Sequence, residues 1–209
     1  MTAPLARRLA ALAAVTGWSA LALQLAVSLM LTRAAGRPLA IGLWHFVGYF
    51  TTLTNVRVAL AFTRLARGHA VTPATFTGVV LAIGVVGVVY ETILSAVVPP
   101  MTPLWWVADR LLHYVMPIAT VAWWIAFTPK AALQWSDAVR WLRYPLLYLV
   151  YALLRGAIDD WYPYFFIDAS RLGYARTLMN ATALTLAMLV AGLLLVAVTR
   201  FARGRAERR

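Results

Sequence analysis

From Leu9 to Leu31 the chain runs without one charged residue. A bilayer core takes about 20 apolar residues of helix per crossing, and this run reaches that length. It exceeds the roughly 7–15 apolar residues of a secretory signal, so it reads as a retained helix. Further apolar runs bounded by charge, proline or glycine occupy residues 39–63, 76–98, 104–127, 141–157 and 177–199. Backbone in lipid must satisfy its own hydrogen bonds, which leaves helices and closed barrels; strand-like alternation is missing, so each run is read as helix. Composition agrees, with 63% hydrophobic and 12% charged residues and a mean hydropathy of +0.76. A soluble domain carries about twice that charge. A disordered chain is excluded by the same figures, and the hydropathy speaks against reading the +12 net charge as a nucleic-acid surface. The chain has no cysteine, so disulfides, zinc–thiolate sites and a cysteine nucleophile are excluded.

Basic residues concentrate on the cytoplasmic side of a membrane protein. With the N-terminus inside, that side holds Arg7, Arg8, Arg64, Arg67, Lys130, Arg140, Arg143, Arg200, Arg203, Arg205, Arg208 and Arg209, against Arg33, Arg37, Arg171 and Arg176 outside. Six crossings return the chain to its starting side, consistent with that bias. The expectation is an all-α polytopic membrane protein. It would be a compact bundle of six transmembrane helices, one domain over residues 1–209, with both termini cytoplasmic. The arginine- and alanine-rich composition points to a bacterial plasma (inner) membrane. The stretch 156–176 is too broken for a crossing, with Pro163 and three aspartates; its aromatics, in a cap at 158–174, suit either a lid or an interfacial anchor.

Polar groups inside crossings are costly and mark functional interiors. On this topology His45, Thr51, Thr52, Thr54, Asn55, Glu91, Asp109, Arg110, His113 and Arg155 all fall in the outer half or near the midplane. At 1.5 Å per residue, Thr51 and His113 lie at similar depth, roughly 13–15 Å from the outer surface. Asp109 and His113 are i,i+4 and share a helix face, which Arg110 borders; Thr51, Thr54 and Asn55 form another, with Gly48 one turn earlier. The expectation is an outward-opening polar pocket. There a threonine hydroxyl beside a histidine can serve as nucleophile and base.

Each residue also has a plainer reading. Threonine in a membrane helix commonly bonds its own i−4 carbonyl. His113 can be a structural hydrogen-bonding group. Glu91 can be a proton relay, a substrate ligand, or the ion-pair partner of Arg110 or Arg155. Asp109 with His113 is too small a set for a metal, and the pair equally suits a carboxylate orienting an imidazole. Pro117 withdraws a donor one turn after His113 and frees a carbonyl of the preceding turn. No metal and no cofactor is expected.

Three strings stand in order along the chain: Tyr49-Phe50-Thr51-Thr52-Leu53-Thr54-Asn55; Leu112-His113-Tyr114-Val115-Met116-Pro117; and Arg155-Gly156 followed by Trp161-Tyr162-Pro163-Tyr164, Asp168 and Gly173-Tyr174. Together they resemble the prokaryotic Pr6Pr family of six-span membrane proteins. That family is distantly similar to the androgen-induced membrane hydrolases of eukaryotes. Those enzymes cleave fatty acid esters of hydroxy fatty acids with a membrane-embedded threonine and histidine. The resemblance implies Thr51, in Tyr49-Phe50-Thr51, as nucleophile and His113, ahead of Pro117, as base.

Three functions follow as expectations. One is a lipid-ester hydrolase with Thr51 and His113 catalytic, and Asn55, Thr54, Glu91, Asp109, Arg110 and Arg155 lining the site. In it Asp109 would orient the base, and Asn55 or Arg110 would stabilise the oxyanion. The others are a proton-coupled or small-molecule transporter and a non-catalytic sensor or scaffold. All three take membrane lipid or a lipophilic small molecule as partner, and none takes nucleic acid.

Overall fold

The computed structural model describes residues 3–98, 102–129 and 133–206. Among these the chain is helical throughout its ordered elements, with no strand. The first helix, α1, covers Ala3–Ala34; α2 covers Leu39–Phe46; α3 covers Phe50–Ala66; and α4 covers Pro73–Val89. The fourth continues into a π-helical turn at Tyr90–Leu94. Next come α5 (Pro103–Arg110), a second π-helical turn (Leu111–Val115) and α6 (Met116–Phe127). Beyond them lie α7 (Trp135–Trp141), α8 (Arg143–Asp159), a 3-10 turn (Phe165–Ile167) and α9 (Ala169–Ala206).

Four helices among the described residues are long and apolar enough to cross a membrane: Pro4–Ala34, Pro73–Leu94, Pro103–Phe127 and Ala169–Phe201. The apolar run 39–63 is not one helix, as expected from hydropathy, but two, because the helical backbone stops at Val47–Tyr49 and restarts at Phe50. The run 141–157 corresponds to α8, which is 17 residues long and follows the short α7.

Helix starts follow local chemistry. Thr72 and Thr102 each stand before a proline, and each hydroxyl accepts from the backbone N–H three residues on, of Thr75 at 3.2 Å and of Trp105 at 3.3 Å. Threonine as cap and proline in the first turn is a helix-initiating pair, since the proline lacks a donor where none is needed.

The helices form two compact units, residues 1–128 and 129–209. In the first, α1 lies along α3 through small residues. Ala20 and Ala59 are fully buried with Leu21 and Leu112, and a Cβ on Gly17 would come 3.3 Å from that of Ala59. Small residues let backbones approach where lipid supplies no hydrophobic drive between helices. Toward the other end of α3, Phe62 meets Phe76 and Trp123 edge-on, at 5.8 and 5.5 Å between ring centres. In the second unit α7 and α8 are followed by α9, whose backbone bends at Gly173, where φ is 72°. A side chain there would be strained, so glycine is the residue that permits the bend.

Candidate active site

Three elements of the first unit meet at His113. It sits in the π-helical turn after α5, and Asp109 stands one turn before it. Met116 N–H bonds the Leu111 carbonyl, five residues back rather than four. Pro117 has no N–H to offer the His113 carbonyl, so the regular ladder fails here, and a wider turn accommodates the gap. The end of α4 approaches this turn closely at Gly87, where a Cβ would lie 3.3 Å from Pro117 Cβ and 3.4 Å from the His113 carbonyl oxygen. One turn beyond Gly87 the same helix brings in Tyr90. Thr51 comes from the first turn of α3, directly after the break at Val47–Tyr49.

The hydrogen bonds fix the chemistry of the imidazole. His113 Nδ1 lies 3.0 Å from Asp109 Oδ1 and 3.0 Å from the Asp109 carbonyl oxygen. Both neighbours are acceptors, so Nδ1 carries the proton and Nε2 presents its lone pair. Thr51 Oγ1 is 3.3 Å from that Nε2, and toward the neutral imidazole the hydroxyl is the donor. The other carboxylate oxygen of Asp109 accepts from the Tyr90 hydroxyl at 2.5 Å. The Tyr90 ring stacks on the imidazole, 4.0 Å between centres and 20° from parallel. Thr51, Asp109 and Tyr90 are 7%, 4% and 4% exposed, while the His113 side chain is 15% exposed, so the group is buried except at the imidazole. The order carboxylate, imidazole, hydroxyl is that of a hydrolase triad, recognised by geometry and not by sequence position.

Asn55 is completely buried. Its Nδ2 donates to the Thr51 carbonyl at 2.9 Å and to the Leu112 carbonyl at 3.3 Å. Both amide hydrogens are thereby committed to backbone, and Asn55 ties α3 to the turn that carries His113. It is a clamp, with no donor left over for an oxyanion. Thr54, one residue earlier, is likewise completely buried.

Glu91 and Arg110 lie beside this group. Glu91 accepts from the Tyr114 hydroxyl at 2.5 Å. The guanidinium of Arg110 rests over the rings of Trp106 and Tyr114, 5.3 and 4.9 Å from their centres. Through Tyr114, whose ring packs on Tyr90 and whose hydroxyl meets Glu91, Arg110 borders the group.

Arg155 belongs to the second unit. It is 3% exposed, donates to the Tyr151 hydroxyl at 3.0 Å, and is flanked by the rings of Tyr151 and Trp161. Tyr162 closes over Gly156, where a Cβ would fall inside its ring. Desolvation, with Tyr174 adding to it, raises the Tyr162 phenol above the usual tyrosine range. Asp168 caps α9, its Oδ1 accepting from the N–H of Ser170 and Arg171 at 3.1 and 3.2 Å.

Tyr90 is the one member of the group that sequence reasoning passed over. A tyrosine near a span end reads as an interfacial anchor. Its distance from Asp109 along the chain gives no signal without the packing of α4 on α6.

No protein-family model, curated protein or solved structure matches the chain.

Proposed function

We propose that the protein is an intramembrane ester hydrolase using Thr51, His113 and Asp109 on a lipophilic ester. The observation that carries this reading is the geometry at His113, whose Nδ1 stands 3.0 Å from two acceptors while Nε2 stands 3.3 Å from the Thr51 hydroxyl. Two acceptors hold the proton on Nδ1, so Nε2 faces the Thr51 hydroxyl as a ready base. The Thr51 oxygen attacks the ester carbonyl while its proton passes to His113 Nε2. Collapse of the tetrahedral adduct expels the alcohol, which leaves with that proton, and the acyl group stays on Thr51. Water then attacks the acyl carbonyl, giving a proton to His113. The Thr51 oxygen leaves, recovers that proton, and the carboxylic acid is released. The positive end of α3, one residue before Thr51, favours the charge that builds on the carbonyl oxygen.

The membrane arrangement belongs to the same proposal. The interrupted pairs α2–α3 and α7–α8 add two crossings to the four continuous ones. Broken helices are tolerated at membrane depth where the loosened backbone lines an interior site, and Thr51 stands at such a break. Six crossings with the basic excess inside put both termini in the cytoplasm of a bacterial inner membrane, with substrate arriving from the outer leaflet. The resemblance to the Pr6Pr family is carried by the three strings together, and the more distant one to the androgen-induced hydrolases by Thr51 and His113.

The test is labelling of the purified protein in detergent with an alkyl fluorophosphonate. Wild type is expected to acquire a Thr51-linked phosphonate, and Thr51→Ala to acquire none. Equal labelling of the two would remove Thr51 as nucleophile.

A further inference from the structure

Tyr90 touches two of the three proposed catalytic groups through different parts of its side chain. Its hydroxyl holds Asp109 Oδ2 while Asp109 Oδ1 holds His113 Nδ1, and its ring lies flat on the imidazole. The three side chains therefore close a loop, Tyr90 to Asp109 to His113 and back to the ring of Tyr90. Each contact limits a different freedom. The hydroxyl fixes the rotation of the carboxylate, which would otherwise turn about its last bond. The ring fixes the plane of the imidazole. Tyr90 is only 4% exposed, so neither contact competes with solvent. Its place is itself built: the π-helical turn begins at Tyr90, with Ser95 N–H reaching back to the Tyr90 carbonyl at 2.7 Å, and Gly87 one turn earlier lets α4 come close. π-helical turns recur at functional sites, and here two of them face each other.

We propose that Tyr90 is a positioning residue for His113, acting through Asp109 with its hydroxyl and directly with its ring. The inference rests on the hydrolase reading for its kinetic consequence, though not for its structural one. When His113 takes the Thr51 proton, the new positive charge forms beneath the face of the Tyr90 ring, an attractive arrangement. The hydroxyl keeps the carboxylate aimed so that the charge is met at Nδ1.

The two parts of the side chain are separable by substitution. Tyr90→Phe removes the hydroxyl and keeps the ring; Tyr90→Leu removes both. The maximal rate of fluorophosphonate labelling is expected to fall about 10-fold in the first, since a hydrogen bond to a charged group is worth roughly that factor. In the second it is expected to fall about 100-fold, the lost ring contact adding to it. The concentration giving half-maximal rate should stay at the wild-type value in both, because Tyr90 does not touch the reagent. A merely structural residue would instead lose activity in proportion to the fraction unfolded. The decisive measurement is the double variant. If the hydroxyl acts through Asp109, Tyr90→Phe costs nothing further once Asp109→Asn is present. Additive losses overturn the proposal, as does wild-type labelling by Tyr90→Leu.

A second readout needs no turnover. The chain has three histidines, so nitrogen-15 spectra of histidine-labelled protein are assignable with His45→Gln and His69→Gln. Wild type should show one sharp set of His113 signals, and Tyr90→Leu a shifted, exchange-broadened set from an imidazole no longer held in one plane. Unchanged His113 signals in Tyr90→Leu count against the proposal. If wild type fails to label while Tyr90→Leu still shifts and broadens them, the hydrolase reading falls and the positioning role stands.

Discussion

The polar residues of the first unit and those of the second use their hydrogen bonds differently. Around His113 they bond to one another: Tyr90 to Asp109, Asp109 to His113, His113 to Thr51. Around α8 and the start of α9 the contacts are short-range in sequence, to backbone, rings and hydroxyls a few residues away. Asp159 Oδ1 accepts from Trp161 N–H two residues on, Asp168 caps α9, and Arg155 sits between Tyr151 and Trp161. Both arrangements make polar groups tolerable in an apolar chain. The first also leaves a base aimed at a hydroxyl, whereas the second shapes a turn. Polarity in a membrane protein marks a site when side chains from separate helices converge on one another, and marks architecture when they close on their own backbone.

Asp109→Asn probes that contrast most strongly. The asparagine amide would offer a donor where His113 Nδ1–H needs an acceptor, turning the ring or its tautomer away from Thr51. In a triad this costs about 10^4-fold in rate while the geometry survives. Fluorophosphonate labelling should therefore fall by about that factor, with thermal unfolding in detergent little changed. A parallel Asp168→Asn should label at the wild-type rate. If the two variants behaved alike, the division between the regions would be wrong.

Much of the fold was legible because hydropathy and start signals are local. The apolar runs 9–31, 104–127 and 177–199 each fall within a long helix and 76–98 largely does, while the Thr-Pro caps start two of these helices earlier, at Pro73 and Pro103. The break at Val47–Tyr49 was not legible, since Val47, Gly48 and Tyr49 sit unremarkably in an apolar run and hydropathy does not register backbone direction. At the site, the pairing of Asp109 with His113 follows from i,i+4 spacing, and the depth of Thr51 matched that of His113. The placing of Arg110 over the rings of Trp106 and Tyr114 was not legible, because spacing gives a helix face and not the partners packed on it. Asn55 was identified as a polar group of the site, but its commitment to the Thr51 and Leu112 carbonyls depends on a neighbour distant in sequence. Tyr90 needed the same long-range information.

Gly156→Ala tests whether the second region is architectural. The added methyl would overlap the Tyr162 ring, so the ring or the backbone must move. Overpacking of this kind costs about 1–3 kcal/mol. The expected outcome is a lower melting temperature in detergent, measured by tryptophan fluorescence, with the labelling rate of the folded fraction unchanged. Full stability with lost labelling would place Gly156 in the catalytic group and break the comparison from its other side.

The smallest effect is expected at the cap of α9. Asp168 satisfies two N–H groups of the first turn, and its Oδ2 pairs with Arg171 at 3.3 Å. Asp168→Ala leaves those donors to whatever solvent reaches them, a loss of about 1 kcal/mol for an N-cap. The exposed ion pair adds little to that, because Arg171 is 81% exposed and water screens it. Asp168→Ser should recover most of the loss, as the hydroxyl accepts from the same backbone hydrogens without the charge. Thermal unfolding of the three proteins side by side then separates cap from ion pair: serine near wild type assigns the stability to the cap, and serine near alanine assigns it to Arg171.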